Sequence, residues 1–262
     1  MFVSAYLTID DSPTRKTTDL VRFLVDHNIQ ALFFARGDFL ELDPQPVIDA
    51  IKQGMVIGNH NYSHTRASQM SYAQCVDEIE RTQALIDAAY EEAGVLQEHK
   101  YFRFPHMDRG AGGWVIDYDA APEYKDYLMP LFADGLNVSL DKPSQAQIEN
   151  KHRLQDYLKN NGYSKPFQDV SFDWYQNSEM ASAIDAMYSF STSDWMLSQR
   201  HLARDWPYKT LEDLQGKIDK ELLSDSTSPH IVLAHDQEEI YLKTLALIGY
   251  MLDKGVEFLP IK

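Results

Sequence analysis

The chain has 262 residues, 44% of them apolar, which is enough for one sizeable α/β core. A formal charge of −16 argues against nucleic acid or an anionic membrane surface as partner and suits a neutral ligand, or one that becomes cationic on reaction. The one cysteine, Cys75, excludes an intrachain disulfide, and no apolar stretch is long enough for a transmembrane helix. With no signal-peptide pattern at Met1, the chain reads as cytoplasmic, or as exported with its signal removed from the numbered sequence.

Phe2 to Ile9 is β-rich and ends at Asp10-Asp11-Ser12-Pro13, a strand-to-turn signal. Thr17 or Thr18 can cap a helix carrying Leu20, Val21, Leu24 and Val25, ended by Asn28. Ala31 to Ala35 is a second buried strand, and a short helix from Pro46 closes at Gly54. Met55-Val56-Ile57 forms a third strand that delivers His60 and His64. Ser71 opens the longest helix, to about Ala93, and Tyr101 to Phe104 is a fourth strand halted by Pro105.

Residues 107–168 are long for a connection and read as an insertion between strands four and five, with a helix starting at Ser144 and Gln147. Val170 to Trp174 is the expected fifth strand, followed by a helical pattern from Glu179 to Leu197 and a weaker one from Lys209 to Leu223. His230 to Ala234 and Val256 to Leu259 complete seven strands around a last helix. Alternating strands and helices predict a single α/β domain over 1–262, a distorted (β/α) barrel of about seven parallel strands. Asp10, Asp11, His60, Arg103, Asp173, His235 and Asp236 all fall at or just past expected C-terminal strand ends, the face that carries active sites in such barrels.

Two histidines four apart can converge on one cation, but a catalytic metal takes a third protein ligand, for which Asp10-Asp11 is the natural source. A metal held by Asp11, His60 and His64 would polarise a carbonyl, Asp10 would take a proton from water, and His235 would protonate a leaving amine. That assembly suits metal-assisted hydrolysis of an amide or ester.

The order of these pieces resembles the polysaccharide deacetylase family, carbohydrate esterase family 4. Thr8-Ile9-Asp10-Asp11-Ser12-Pro13 is similar to its Thr-Phe-Asp-Asp-Gly-Pro opening, and His60-Asn61-Tyr62-Ser63-His64 to its His-(Ser/Thr)-x-x-His motif. Arg103-Phe104-Pro105-His106 resembles Arg-x-Pro-Tyr, and Leu233-Ala234-His235 resembles Leu-x-His. The resemblance implies Asp10 as base, His235 as acid, Asp11, His60 and His64 as ligands, and Arg103 as the partner that holds Asp10. It implies one divalent ion, zinc first and cobalt, nickel or manganese as alternatives.

Pro105, His106, Trp174 and Leu233 would line the substrate site, with the His106 backbone N–H helping at the oxyanion. The family's Asp-Trp motif has two claimants here, Asp173-Trp174 and Asp194-Trp195. Strand context favours the first, with Asp173 steadying Arg103. Ser12, Asn61 and His106 depart from the family pattern and touch the substrate region. The aromatics Trp114, Tyr118, Tyr124 and Tyr127 would either stack on sugar or pack their own segment. The expected activity is removal of acetyl groups from N-acetylated amino sugars of a glycan or oligosaccharide. The rivals are a same-fold amidohydrolase of small non-sugar amides and a non-catalytic saccharide-binding barrel. An acetylated saccharide is thus the expected partner, and the sequence leaves the oligomeric state open.

Overall fold

The computed structural model describes residues 3–133 and 140–261. At its centre is β1 (Ser4–Ser12), whose run is buried along nearly its whole length, as expected of a strand covered on both faces. β2 (Ala31–Ala35), β3 (Val56–Asn59), β4 (Phe190–Ser191), β5 (His230–His235) and β6 (Glu257–Phe258) join it in a parallel sheet of order β3-β2-β1-β5-β4. β6 pairs with Ser4 and Ala5, before β2 joins β1 at Leu7. No helix among the described residues is long and apolar enough to cross a membrane.

Side-chain alternation divides the sheet into two faces. Ala5, Leu7 and Ile9 of β1, Phe33 of β2, Ile57 of β3 and Val232 of β5 bury into one core. That core is completed by α1 (Thr17–Asp26), α2 (Gly37–Leu42), α3 (Gln45–Lys52) and α4 (Tyr72–Ala93). Tyr6, Leu32, Phe34, Ile231 and Leu233 face the other way, into a second core shared with residues 107–188. Within that excursion lie α5 (Lys125–Ala133), α6 (Gln145–Asn160) and α7 (Ser178–Ser182). α8 (Gln199–Leu202), α9 (Leu211–Lys217) and α10 (Tyr241–Asp253) complete the helices.

Local signals explain several boundaries. Ser71 and Gln74 form a reciprocal cap at the start of α4, and Gly94 ends it at φ 70°. Ser144 and Gln147 do the same for α6. α1 differs: neither threonine caps it, because Thr17 lies in the first turn and spends its hydroxyl on Asp236.

Three expectations are corrected. Residues 101–104 form no named strand, although Asn59 N donates to the Tyr101 carbonyl at 2.8 Å and Arg103 N to the Asn59 carbonyl at 3.0 Å. Val170 to Trp174 is not a strand either. Asp173–Gln176 is a short 3₁₀ turn, because Phe172 and Trp174 both bury into the second core rather than alternating between faces. The helix expected over 179–197 is instead α7, the two-residue β4, and a 3₁₀ turn at Asp194–Leu197. The excursion between residues 101–104 and β4 is therefore longer than 107–168, part of which (134–139) lies outside the described residues, as does Phe2.

Gly58 occupies the inner face of β3, where an added Cβ would sit 2.8 Å from the Phe34 ring and 3.1 Å from the Tyr101 carbonyl. Gly58→Ala should therefore cost about 1–3 kcal/mol through overpacking. A urea-unfolding midpoint matching that of the parent protein would contradict this.

Candidate active site

The inner-face residues nearest the C-terminal ends of the strands are Asp10 on β1, His60 just past β3, and His235 on β5. Register pairs Asp10 with His235 directly. His60 N donates to the Ala35 carbonyl at 2.9 Å, which extends the β2–β3 ladder far enough to fix the imidazole. Asp11 should face outward by alternation, but the register slips between Asp10 and Ser12, and Asp11 takes φ 73°. This bulge turns its carboxylate to the same side as that of Asp10. Of the eight non-glycine residues with positive φ among those described, six (Asp11, Asn61, His64, His106, Met107 and Ser193) lie in segments that carry the site. Strained backbone of this kind concentrates where function fixes side-chain direction. Asn61 at φ 60° stands where the family pattern has a hydroxyl residue, and asparagine tolerates that conformation better than most.

Asp11, His60 and His64 bring one ligand atom each within 4.8 Å of one another. His60 Nδ1 lies 2.8 Å from the Arg103 carbonyl, so Nδ1–H donates there and Nε2 faces the cluster with its lone pair. His64 Nε2 lies 3.2 Å from Asp11 Oδ1, and that oxygen is buried without a hydrogen-bond partner. Asp11 Oδ2 accepts from Gln237 Nε2 at 2.8 Å. An orphaned carboxylate oxygen beside two imidazole nitrogens fits one divalent cation.

Burial lowers the pKa of His60, and lowers that of His64 well below the ordinary value, which favours the neutral rings that metal ligation would need. Burial opposes ionisation of Asp11, but the neighbouring imidazoles His64, His235 and His60, with the Gln237 hydrogen bond, outweigh it and hold the carboxyl well below its usual range.

Arg103 is fully buried; its Nη1 donates to Asp10 Oδ1 at 2.8 Å and to Thr8 Oγ1 at 2.9 Å, and its Nε to the Ala186 carbonyl at 3.1 Å. The guanidinium lies over the Phe34 ring at 4.4 Å. Asp10 thus has one oxygen held by a cation, while its other oxygen lies 3.5 Å from His60 Nε2.

His235 Nδ1 lies 2.7 Å from Asp194 Oδ1, and the His235 backbone N donates to Asp194 Oδ2 at 2.9 Å. Thr244 Oγ1 donates to the same Oδ2 at 3.0 Å. Burial alone would lower the pKa of His235, but the Asp194 charge and hydrogen bond, with Asp11 and Asp10 behind them, raise it to about 9. Asp236 points away from the ring and accepts from Thr14 and Thr17, and burial raises its pKa to about 6.

These groups open on a cleft of about 850 Å³ whose lining includes Leu233, His106, Trp195, Tyr188 and Ser191. The His106 ring packs against His64 with centroids 4.4 Å apart, and burial lowers its pKa to about 4. Pro105 is buried in the 3₁₀ turn that sets His106.

The Asp173-Trp174 assignment is corrected. Asp173 is exposed, whereas Arg103 is wholly buried. Trp174 packs against Phe172, Tyr175 and Phe132 in the second core. Trp195 lines the cleft and Asp194 holds His235, so the Asp-Trp pair at the site is 194–195, and its aspartate serves the histidine rather than Arg103. Trp114 and Tyr118 are buried in the excursion's own core and do not line the cleft among the described residues. Gln237 went unread in the sequence, although its spacing of two from His235 is the signal that an extended chain turns both to one face.

The parallel sheet thus carries paired carboxylates and imidazoles together at the C-terminal ends of its strands. Residues 3–112 match the family model described as polysaccharide deacetylase. The chain is 28% identical over 113 residues to a peptidoglycan-N-acetylglucosamine deacetylase of Bacillus cereus, covering 43% of this chain and 41% of that one. It is 30% identical over 91 residues to a chitooligosaccharide deacetylase of Bradyrhizobium, covering 34% and 42%. The matched stretch thus spans less than half the length of these curated relatives.

Among solved structures, the catalytic domain of a peptidoglycan N-acetylglucosamine deacetylase from Eubacterium rectale superposes with TM-score 0.60 at 18% identity, over 98% of this chain and 88% of that one. A family 4 carbohydrate esterase from Streptomyces lividans gives 0.54 at 17% identity, over 98% and 91%. Residues 3–112 are thus similar to the polysaccharide deacetylase family, and the chain as a whole shares the fold of the family 4 carbohydrate esterases.

Because Gln237 orients Asp11, Gln237→Leu should weaken binding of a divalent cation by about 10–100-fold. Competition titration against a chelating dye reads this without turnover. Unchanged affinity would show that Asp11 needs no such partner.

Proposed function

We propose that this protein hydrolyses the acetamide of an N-acetylated amino sugar within a glycan or oligosaccharide. The observation that carries the reading is the opposite treatment of its histidines: His60 and His64 are held neutral in a ligand cluster, while His235 is held protonated by Asp194. A hydrolase that must expel an amine needs both kinds in one cleft.

Asp11, His60 and His64 would hold one divalent ion, zinc first by donor set, which supplies Lewis-acid polarisation of the acetyl carbonyl. Asp10, fixed by Arg103, takes a proton from the attacking water. His235 delivers a proton to the departing nitrogen, since an amine anion is too poor a leaving group to depart alone. Leu233 and Trp195 border the acetyl group, and the His106 backbone N–H, set by the Pro105 turn, faces the developing oxyanion. Leu233 and Trp195 give that side of the cleft the apolar surface an acyl methyl needs.

A fold match alone does not carry catalysis, since a family pseudoenzyme from Bacillus anthracis superposes with TM-score 0.57 at 14% identity, over 98% of this chain and 63% of that one. Here Asp10, His235 and the Asp11-His60-His64 cluster share one cleft, which supports the reading of an active enzyme over a binding module. The test is acetate release from N-acetylated oligosaccharides, with O-acetylated xylan and simple amides as comparators and divalent metal added back. Release from simple amides alone would replace the substrate class, and no release from any of them would support the binding module.

Two variants check the roles. Asp10→Asn should cut turnover by at least about 10²-fold while keeping its metal. His235→Ala should cut N-acetyl hydrolysis by about 10²–10⁴-fold but spare an activated ester, whose leaving group needs no proton. Equal losses on both substrates would remove His235 from the acid role.

A further inference from the structure

Asp194 is carried by a turn with little regular structure of its own. β4 supplies only Phe190 and Ser191, and Ser193 takes φ 54° before the 3₁₀ turn begins. The backbone is held on one side, where Thr192 N donates to the Leu233 carbonyl at 2.9 Å. On the other side stands Lys217, the last residue of α9, with its side chain almost entirely buried. Its Nζ donates to the Ser191 carbonyl at 2.8 Å and to Ser193 Oγ at 2.8 Å. Ser191 lines the cleft, and Ser193 directly precedes Asp194. Immediately after Lys217 the helix widens into a π-type turn, Ile218–Leu222, a local distortion found most often beside functional sites.

We propose that Lys217 is a positioning residue for the proton donor, strapping the Ser191–Ser193 turn to α9 so that the Asp194 carboxylate meets His235. A buried ammonium is costly to desolvate, and a lysine here fixes two acceptors at once where an apolar side chain of like length would fix none. Burying it only to fill space would be a poor use of the site, since methionine fills the same volume without that cost. The strap works through geometry: Asp194 has both oxygens committed, to His235 Nδ1, His235 N and Thr244 Oγ1, so a shift of the turn misaligns three contacts together. This inference rests on the reading of His235 as the acid. The charges that face His235 are Asp194, Asp11 and Asp10.

The test is Lys217→Met in the full chain, with Lys217→Arg as the conservative comparison. Lys217→Met should retain its metal and its melting temperature within a few degrees. It should lose about tenfold or more in kcat on an N-acetyl substrate with KM nearly unchanged, because the error is one of catalytic alignment. The basic limb of its pH–rate profile should move to lower pH by roughly one unit, since a loosened Asp194 supports the protonated ring less well. An activated ester should lose less, and Lys217→Arg should recover part of the kcat.

A merely structural lysine would lower the melting temperature and leave the limb in place. A folded Lys217→Met with parental kcat and an unmoved limb overturns the proposal. Should that variant not fold, Ser193→Ala removes one acceptor and should move kcat and the limb in the same direction by less, and its failure to do so is equally decisive. Following the His235 ring by NMR titration reads the strap without turnover, so a parent protein that releases no acetate sinks the deacetylase reading and leaves this one standing or falling on its own.

Discussion

A regular strand sends successive side chains to opposite faces, yet the chemistry inferred here needs two consecutive carboxylates in one cleft. The bulge in β1 resolves this. Asp10 pairs with Phe34 and Ser12 with Ala35, which leaves Asp11 as the extra residue at φ 73° and brings it beside Asp10. Aspartate is among the few residue types that accept the left-handed region at modest cost, so side-chain chemistry and backbone demand coincide at one position. Once that bulge is set, the two carboxylates diverge: Asp10 toward Arg103, and Asp11 toward the imidazoles and Gln237.

The same cleft then treats like groups in unlike ways. Burial lowers the pKa of His60 and His64, whereas that of His235, also largely out of water, is raised because Asp194 is bonded to it. Each ring has a carboxylate nearby, and what sets His235 apart is the direct 2.7 Å contact with one that is itself fully buried. Arg103 links the halves: its side chain fixes Asp10, its carbonyl fixes the tautomer of His60, and its backbone N–H closes onto Asn59.

Much of this was legible in the residues themselves. β2, β3 and β5 carry short apolar runs and β1 one broken only by Thr8, and the serine–glutamine caps of α4 and α6 announce their starts. The parity of Tyr6, Thr8 and Asp10 is readable before any coordinates. What was not legible turned on tertiary context. Val170 to Trp174 has the composition of a strand, but Phe172 and Trp174, two apart, both bury into the second core instead of pairing with the sheet. The true strand, Phe190-Ser191, is too short to show a period, and Ser191-Thr192-Ser193 looks like a turn because it is one. The turn was the signal for Asp194, since a carboxylate on a tight turn past a strand end can reach a histidine on the neighbouring strand.

The long excursion between the Arg103 segment and β4 also gains a physical purpose. Trp174, Tyr175, Met187 and Tyr188 share the second core with Tyr6, Phe34 and Leu233 of the sheet's inner face. Ala186, near the excursion's end, donates its N–H to the Phe102 carbonyl and accepts from Arg103 Nε. Arg103 is thereby removed from water, so its attraction for Asp10 is little screened and works against the cost of burying both charges. The rings lying over the Arg103 guanidinium are Phe34 and Tyr188. Trp174 instead packs with Phe172, Tyr175 and Phe132 inside the excursion, a different task from the one its Asp-Trp sequence suggested.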